Sequence, residues 1–222
     1  MSARSIYALL LALVLVSCQP KTTTQEETQV ALQQDPVAST EAPTPASTRT
    51  EILTAIPTPS LTPKPAPILA LELVFADSDW DGKTVPNGQQ CQRQGGENPS
   101  TPRILVSNIP EGSDAIILEF SDRDYRPMDD GGHGKIGFMI SEGTREAVIP
   151  SILGHSFNLP NDFFIIQEHQ ASSFDTAGAY MPPCSGGIGN SYYVTVKAVE
   201  LLSKDDKTFI LLGQGILELG RY

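Results

Sequence analysis

The residues best suited to chemistry fall in two short stretches. Ser121-Asp122-Arg123-Asp124-Tyr125-Arg126-Pro127 leaves an apolar run, and His133 follows eleven residues after Asp122. Tyr180-Met181-Pro182-Pro183-Cys184-Ser185-Gly186-Gly187-Ile188-Gly189-Asn190-Ser191-Tyr192 runs directly into another apolar run. Loops rich in Pro and Gly at the ends of core elements are where binding residues concentrate.

Catalytic and cofactor signatures do not appear. The three histidines, His133, His155 and His169, lack zinc-ligand spacing, and no Cys-x-x-Cys pair, Gly-x-Ser-x-Gly elbow or phosphate loop is present. Asp77-Ser78-Asp79-Trp80-Asp81-Gly82 matches the first half of a calcium loop, but the bidentate acid that should close it is Gly88. The expectation is a binding protein with no catalytic residue, no metal and no cofactor.

Strands must position these loops. Leu69 to Phe75, Arg103 to Ser107, Ala115 to Phe120, Lys135 to Ile140, Phe163 to Ile166, Tyr192 to Val199, Phe209 to Leu212 and Gly215 to Leu219 are short alternating or β-rich runs, punctuated by Gly and Pro. Asp206 to Gln214 is the best helix candidate and competes with a strand. The pattern predicts a mainly β fold, an antiparallel sandwich or barrel.

The chain has 222 residues and a net charge of −11. Residues 19–67 hold nine of the 18 prolines and 11 threonines with no aromatic residue, so they read as a linker without a core. The remaining 68–222 carry 11 Lys and Arg against 21 Asp and Glu, a net −10, which disfavours a nucleic-acid partner. That segment is long enough for one core and too short for two domains.

Arg4 followed by the apolar run Ile6 to Val16 reads as a secretory signal, residues 1–17, too short to span a bilayer. Leu15-Val16-Ser17-Cys18 resembles the lipobox of bacterial lipoproteins, which implies acylation of Cys18, palmitate-type chains and an extracytoplasmic domain anchored to the bacterial cell membrane. An ordinary cleaved signal with a chance cysteine, or an uncleaved anchor, is the alternative. The expected plan is signal 1–17, lipidated Cys18 and linker 18–67, and a folded domain 68–222.

From about Phe75 to Tyr222 the chain resembles the phosphatidylethanolamine-binding proteins. Val85-Pro86, Cys91 and Gly96-Glu97-Asn98-Pro99-Ser100-Thr101-Pro102 are similar to the family's opening, Asp122-Arg123-Asp124 to its Asp-Pro-Asp, His133 to the histidine of its His-Trp, and Tyr180 through Ala198 to its Pro-Cys-Pro-Pro…His-Arg-Tyr segment. The resemblance implies an antiparallel β-sandwich with a shallow pocket for a small anionic or phosphorylated ligand or a peptide, formed by Asp122, His133, Tyr180, Pro182, Pro183, Asn190 and Tyr192. In such a pocket His133 would donate to the anion while Asp122 accepts from its other nitrogen, fixing the tautomer and favouring the charged form. Backbone N–H groups around Gly186 to Gly189 could form a nest for anion oxygens, and Arg123 or Arg126 could supply positive charge. Asn190 stands where the family has a second histidine, Gly134 where it has the tryptophan, and Arg123 where it has proline. The pocket could equally be vestigial in a protein-interaction module, such as an inhibitor of extracellular proteases. Cys91 and Cys184 flank the pocket loops, and an oxidising compartment favours a disulfide between them over two buried thiols.

Overall fold

The computed structural model describes residues 67–173 and 175–222. The signal segment, Cys18 and the linker up to residue 66 lie outside the described residues.

The described chain is mainly β. Nine strands run in order: β1 (Leu69–Ala70), β2 (Glu72–Phe75), β3 (Ile104–Ser107), β4 (Ala115–Asp122), β5 (Lys135–Met139), β6 (Glu146–Ile149), β7 (Phe163–Gln167), β8 (Ser191–Ser203) and β9 (Thr208–Arg221). They form a six-stranded sheet, β1-β9-β8-β4-β5-β7, and a three-stranded sheet, β2-β3-β6. Every pairing is antiparallel except β1 with β9, which is parallel. The expected sandwich is therefore present with one mixed edge. Short single-turn helices occur at Gln92–Gln94 and Arg126–Met128.

The period of two decides what is buried. On β4, Ile116, Leu118 and Phe120 share one face, and on β8 Tyr192, Val194, Val196 and Ala198 share another; all enter one core with Ile104, Val106 and Ile149 of the small sheet. The opposite face of β4 carries Glu119, whose Oε1 lies 2.7 Å from Lys197 Nζ. The helix candidate Asp206 to Gln214 is strand instead, because Phe209 to Leu219 pairs along β8 as one arm of a long hairpin. The runs Phe209 to Leu212 and Gly215 to Leu219 merge into β9, since Gly213 and Gly215 pass beside Leu71, Pro110 and Leu73 without ending the ladder. Strand β6 had no counterpart in the sequence reading: Glu146-Ala147-Val148-Ile149 is too short and too mixed to stand out until β3 supplies its partner.

Candidate functional site

Three neighbouring strand ends bring the site together. Asp122 closes β4 and pairs with Tyr192, the second residue of β8. Both continue the core-facing rows of their strands, so their side chains stand where the sandwich interior opens at its end. A register shift between Tyr192 and Tyr193 marks a bulge in the β8–β9 ladder at this point. His133 precedes β5 and is tied to β4 through its N–H, which donates to Phe120 O at 3.0 Å. On its other side Met181 N–H donates to His133 O at 2.9 Å. The two loops singled out by sequence thus meet around one cleft of about 260 Å³, lined by Asp122, Asp124, Tyr125, Met128, His133, Met181, Cys184, Ser185, Ile188, Asn190 and Tyr192.

Not all the expected residues reach it. Asp122, His133, Asn190 and Tyr192 line the cleft, whereas Tyr180, Pro182 and Pro183 do not. Tyr180 is fully buried behind His133, with its ring 4.7 Å from that of Phe120 and its hydroxyl unpartnered. Pro182 packs on Gly154. Pro183 borders a small void behind the cleft with Tyr180 and Tyr192, and its carbonyl accepts from Cys91 N–H at 2.8 Å. Sequence reasoning missed Met128, Met181 and Ile188, whose side chains make the walls apolar. Their only sequence signal was membership of the two loops.

The polar floor differs from the expected arrangement. His133 Nδ1 lies 2.7 Å from the Met181 carbonyl oxygen, so Nδ1 carries the proton and donates there. Asp122 is engaged elsewhere: its Oδ2 accepts from Asn190 Nδ2 at 2.7 Å and its Oδ1 from Asp124 N–H at 2.9 Å. The carboxylate therefore does not fix the His133 tautomer; a backbone carbonyl does. The remaining nitrogen, Nε2, is left with its lone pair. Burial pushes the His133 pKa down to about 4, against the opposing pull of the Met181 carbonyl and the Asp122 charge, so the imidazole is neutral at neutral pH. Among the described residues no lysine or arginine lines the cleft. Arg123, a candidate for compensating charge, forms a bidentate pair with Glu218 at 2.7 and 2.9 Å and lies 4.4 Å from the centre of the Tyr193 ring. Arg126 is also absent from the lining.

Around this floor the rim is tied down. Cys184 N–H donates to Tyr192 Oη at 3.1 Å, and burial raises the Tyr192 pKa to about 12. The Tyr192 ring stands edge-on to His133 at 5.3 Å. Ser191 N–H donates to Asp124 Oδ2 at 2.7 Å, which holds the Asp124 carboxyl below its ordinary pKa. Cys91 and Cys184 form a disulfide with Cα atoms 5.2 Å apart, stapling the loop before residues 92–94 to the cleft wall. Two of the three carboxylates in the Asp77 to Gly82 loop are taken up by protein groups: Asp77 pairs with Arg103 at 2.7 Å, and Asp81 Oδ1 accepts from Lys83 and Thr84 N–H.

Gly134, where the resembled family has tryptophan, has a physical reason. Its φ is +120°, and a Cβ there would lie 2.1 Å from the Ala179 carbonyl oxygen. Gly134→Ala is expected to cost about 2 to 3 kcal/mol through backbone strain and overpacking. Urea denaturation checks this, and an unchanged midpoint would contradict the close approach.

His133 also sets a pH dependence. Its folded pKa of about 4 lies below the ordinary 6.5, so between these values the unfolded chain binds a proton that the folded chain refuses. Stability should fall as pH drops from 6.5 to 4 and level off below. Burial lowers the His169 pKa too, which adds in the same direction. Denaturation curves at pH 7 and 4.5 test this; His133→Gln should flatten the slope, and an equal slope in the variant would refute the assignment.

No family model matches the chain, and no curated protein matches it. A similar solved structure comes from Chlamydia trachomatis. It is described as a phosphatidylethanolamine-binding protein homolog; the match is 18% identical, covers 69% of this chain and 97% of that one, and has a TM-score of 0.41.

Proposed function

We propose that this chain is a membrane-tethered extracytoplasmic binding protein, anchored through Cys18, whose cleft holds a small phosphorylated ligand without transforming it. The observation that carries the reading is the pair of acceptors on the cleft floor: the Nε2 lone pair of His133, whose Nδ1–H is held by Met181, beside the Asp122 carboxylate. Such a floor takes a head group that brings its own hydrogens. A bare phosphate dianion would face Asp122 and Asp124 with no cation opposite. A phosphorylated amine suits both ends: its ammonium meets Asp122 and His133, and its phosphoryl oxygens lie by Ser185 and Ile188 on the cleft rim, where no protein group among the described residues uses the Ile188 N–H. Apolar walls of Met128, Met181 and Tyr125 accommodate the carbon chain between them.

Calorimetry at pH 7 with phosphoethanolamine, ethanolamine and inorganic phosphate tests the reading. The expected order of affinity is phosphoethanolamine, then ethanolamine, then phosphate. Absence of binding by all three at millimolar concentration would remove it. The alternative, a protein-interaction module with a vestigial pocket, draws support from one feature: Ile188 is 80% exposed and Tyr125 47% exposed, both at the mouth of the cleft.

A further inference from the structure

The disulfide has a carboxylate beside it. Asp175 Oδ2 lies 3.7 Å from Cys184 Sγ, and one ligand atom each from Cys91, Asp175 and Cys184 falls within 4.8 Å of the other two. A disulfide sulfur has no hydrogen to give this oxygen, so the oxidised pair leaves the contact without a bond. The carboxylate is nonetheless held: Asp175 N–H donates to Ala171 O at 2.9 Å, and Oδ1 accepts from Thr176 N–H at 2.8 Å, which turns Oδ2 toward the sulfur.

The two sulfurs are also held by more than their covalent bond. Cys91 N–H donates to Pro183 O at 2.8 Å, next to Cys184, and Cys91 O accepts from Gln94 and Gly96 N–H. Cys184 N–H is anchored on Tyr192 Oη. Breaking the S–S bond therefore leaves two thiols on adjoining, hydrogen-bonded backbone, with a carboxylate oxygen already in place.

We propose that, after reduction of the Cys91–Cys184 disulfide, Cys91, Cys184 and Asp175 bind one divalent cation of the zinc class. Two molecules of a thiol reductant transfer two electrons and two protons to the disulfide, giving two cysteine thiols and the reductant's own disulfide. The cation then displaces both thiol protons to solvent and takes two thiolate sulfurs and one carboxylate oxygen, with water in the fourth position. Two thiolates select zinc-like ions over calcium or magnesium, which prefer oxygen alone. The domain's net charge of −10 favours approach of a cation. The site shares Cys184 with the cleft wall, while Cys91 and Asp175 do not line the cleft, and it depends on neither the ligand nor the chemistry proposed there.

Cobalt(II), which reports thiolate ligation by its charge-transfer and visible bands, is the probe. The full chain is reduced with a phosphine, exchanged anaerobically, and titrated with cobalt(II) and then zinc(II). The expected result is one equivalent bound with thiolate bands in the reduced chain, displaced by zinc, and no such bands in the oxidised chain. Asp175→Asn, which keeps both cysteines, should weaken cobalt binding at least about tenfold, as even outer-shell changes at metal sites commonly do. Three results would each overturn the proposal: a reduced chain without thiolate bands, an Asp175→Asn variant that binds as tightly as wild type, or a reduced chain whose β-sheet circular dichroism has collapsed.

Discussion

Replacing Cys91 and Cys184 with serine is expected to lower the unfolding free energy by about 4 to 5 kcal/mol, the largest effect anticipated for any change in this protein. The residues are 93 apart in sequence, so the bond closes a long loop and removes many conformations from the unfolded chain. It also ties the segment around Gln92 to the cleft wall, where Cys91 is fully buried. Domains of this size unfold with about 5 to 15 kcal/mol, so the double variant should fold but melt well below the oxidised wild type. Urea denaturation of both proteins is the measurement; a difference under about 1 kcal/mol would mean that hydrogen bonds such as Cys91 N–H to Pro183 O already fix the loop in the unfolded ensemble.

Asp122→Asn should change ligand preference in opposite directions for the two charge types. Asp122 is buried at 3% exposure and lines the cleft, and the substitution removes a negative charge while keeping its size. Ethanolamine and phosphoethanolamine should bind about a hundredfold more weakly, the scale of truncating one partner of a buried charge pair. Inorganic phosphate should bind more tightly, because the repelling carboxylate is gone. One fold contact is lost as well, since an amide cannot accept from both Asn190 Nδ2 and Asp124 N–H, which costs roughly 1 to 3 kcal/mol of stability. Calorimetry on the folded variant decides the point. Weakening of all three ligands together would show that Asp122 shapes the cleft rather than selecting charge.

Much of the fold was legible because its causes are local. The near-continuous apolar run Ala115 to Phe120 marks a strand buried on both faces and the alternation in Tyr192 to Val199 marks its neighbour, and their shared core face leads on to Asp122 and Tyr192. The two Pro- and Gly-rich loops were recognisable as site loops because their turn chemistry sits at strand ends. Asp206 to Gln214 was ambiguous, since a short apolar run fits either period until a neighbouring strand claims its backbone groups.

The chain's own residues thus determined a mainly β domain and the two loops that build the cleft, while the choice between a disulfide and two thiols for Cys91 and Cys184 fell to the structure, which pairs them. Tertiary structure alone decided the chemistry of the floor. Sequence placed Asp122 and His133 near each other, but which hydrogen bond each makes depends on backbone from distant segments: Met181 captures Nδ1 of His133, and Asn190, 68 residues away, captures Asp122. Burial, a property of the assembled sandwich and not of the imidazole, then holds His133 neutral. Arg123 shows the same limit, since only the β8–β9 hairpin puts Glu218 within its reach and draws its charge away from the cleft.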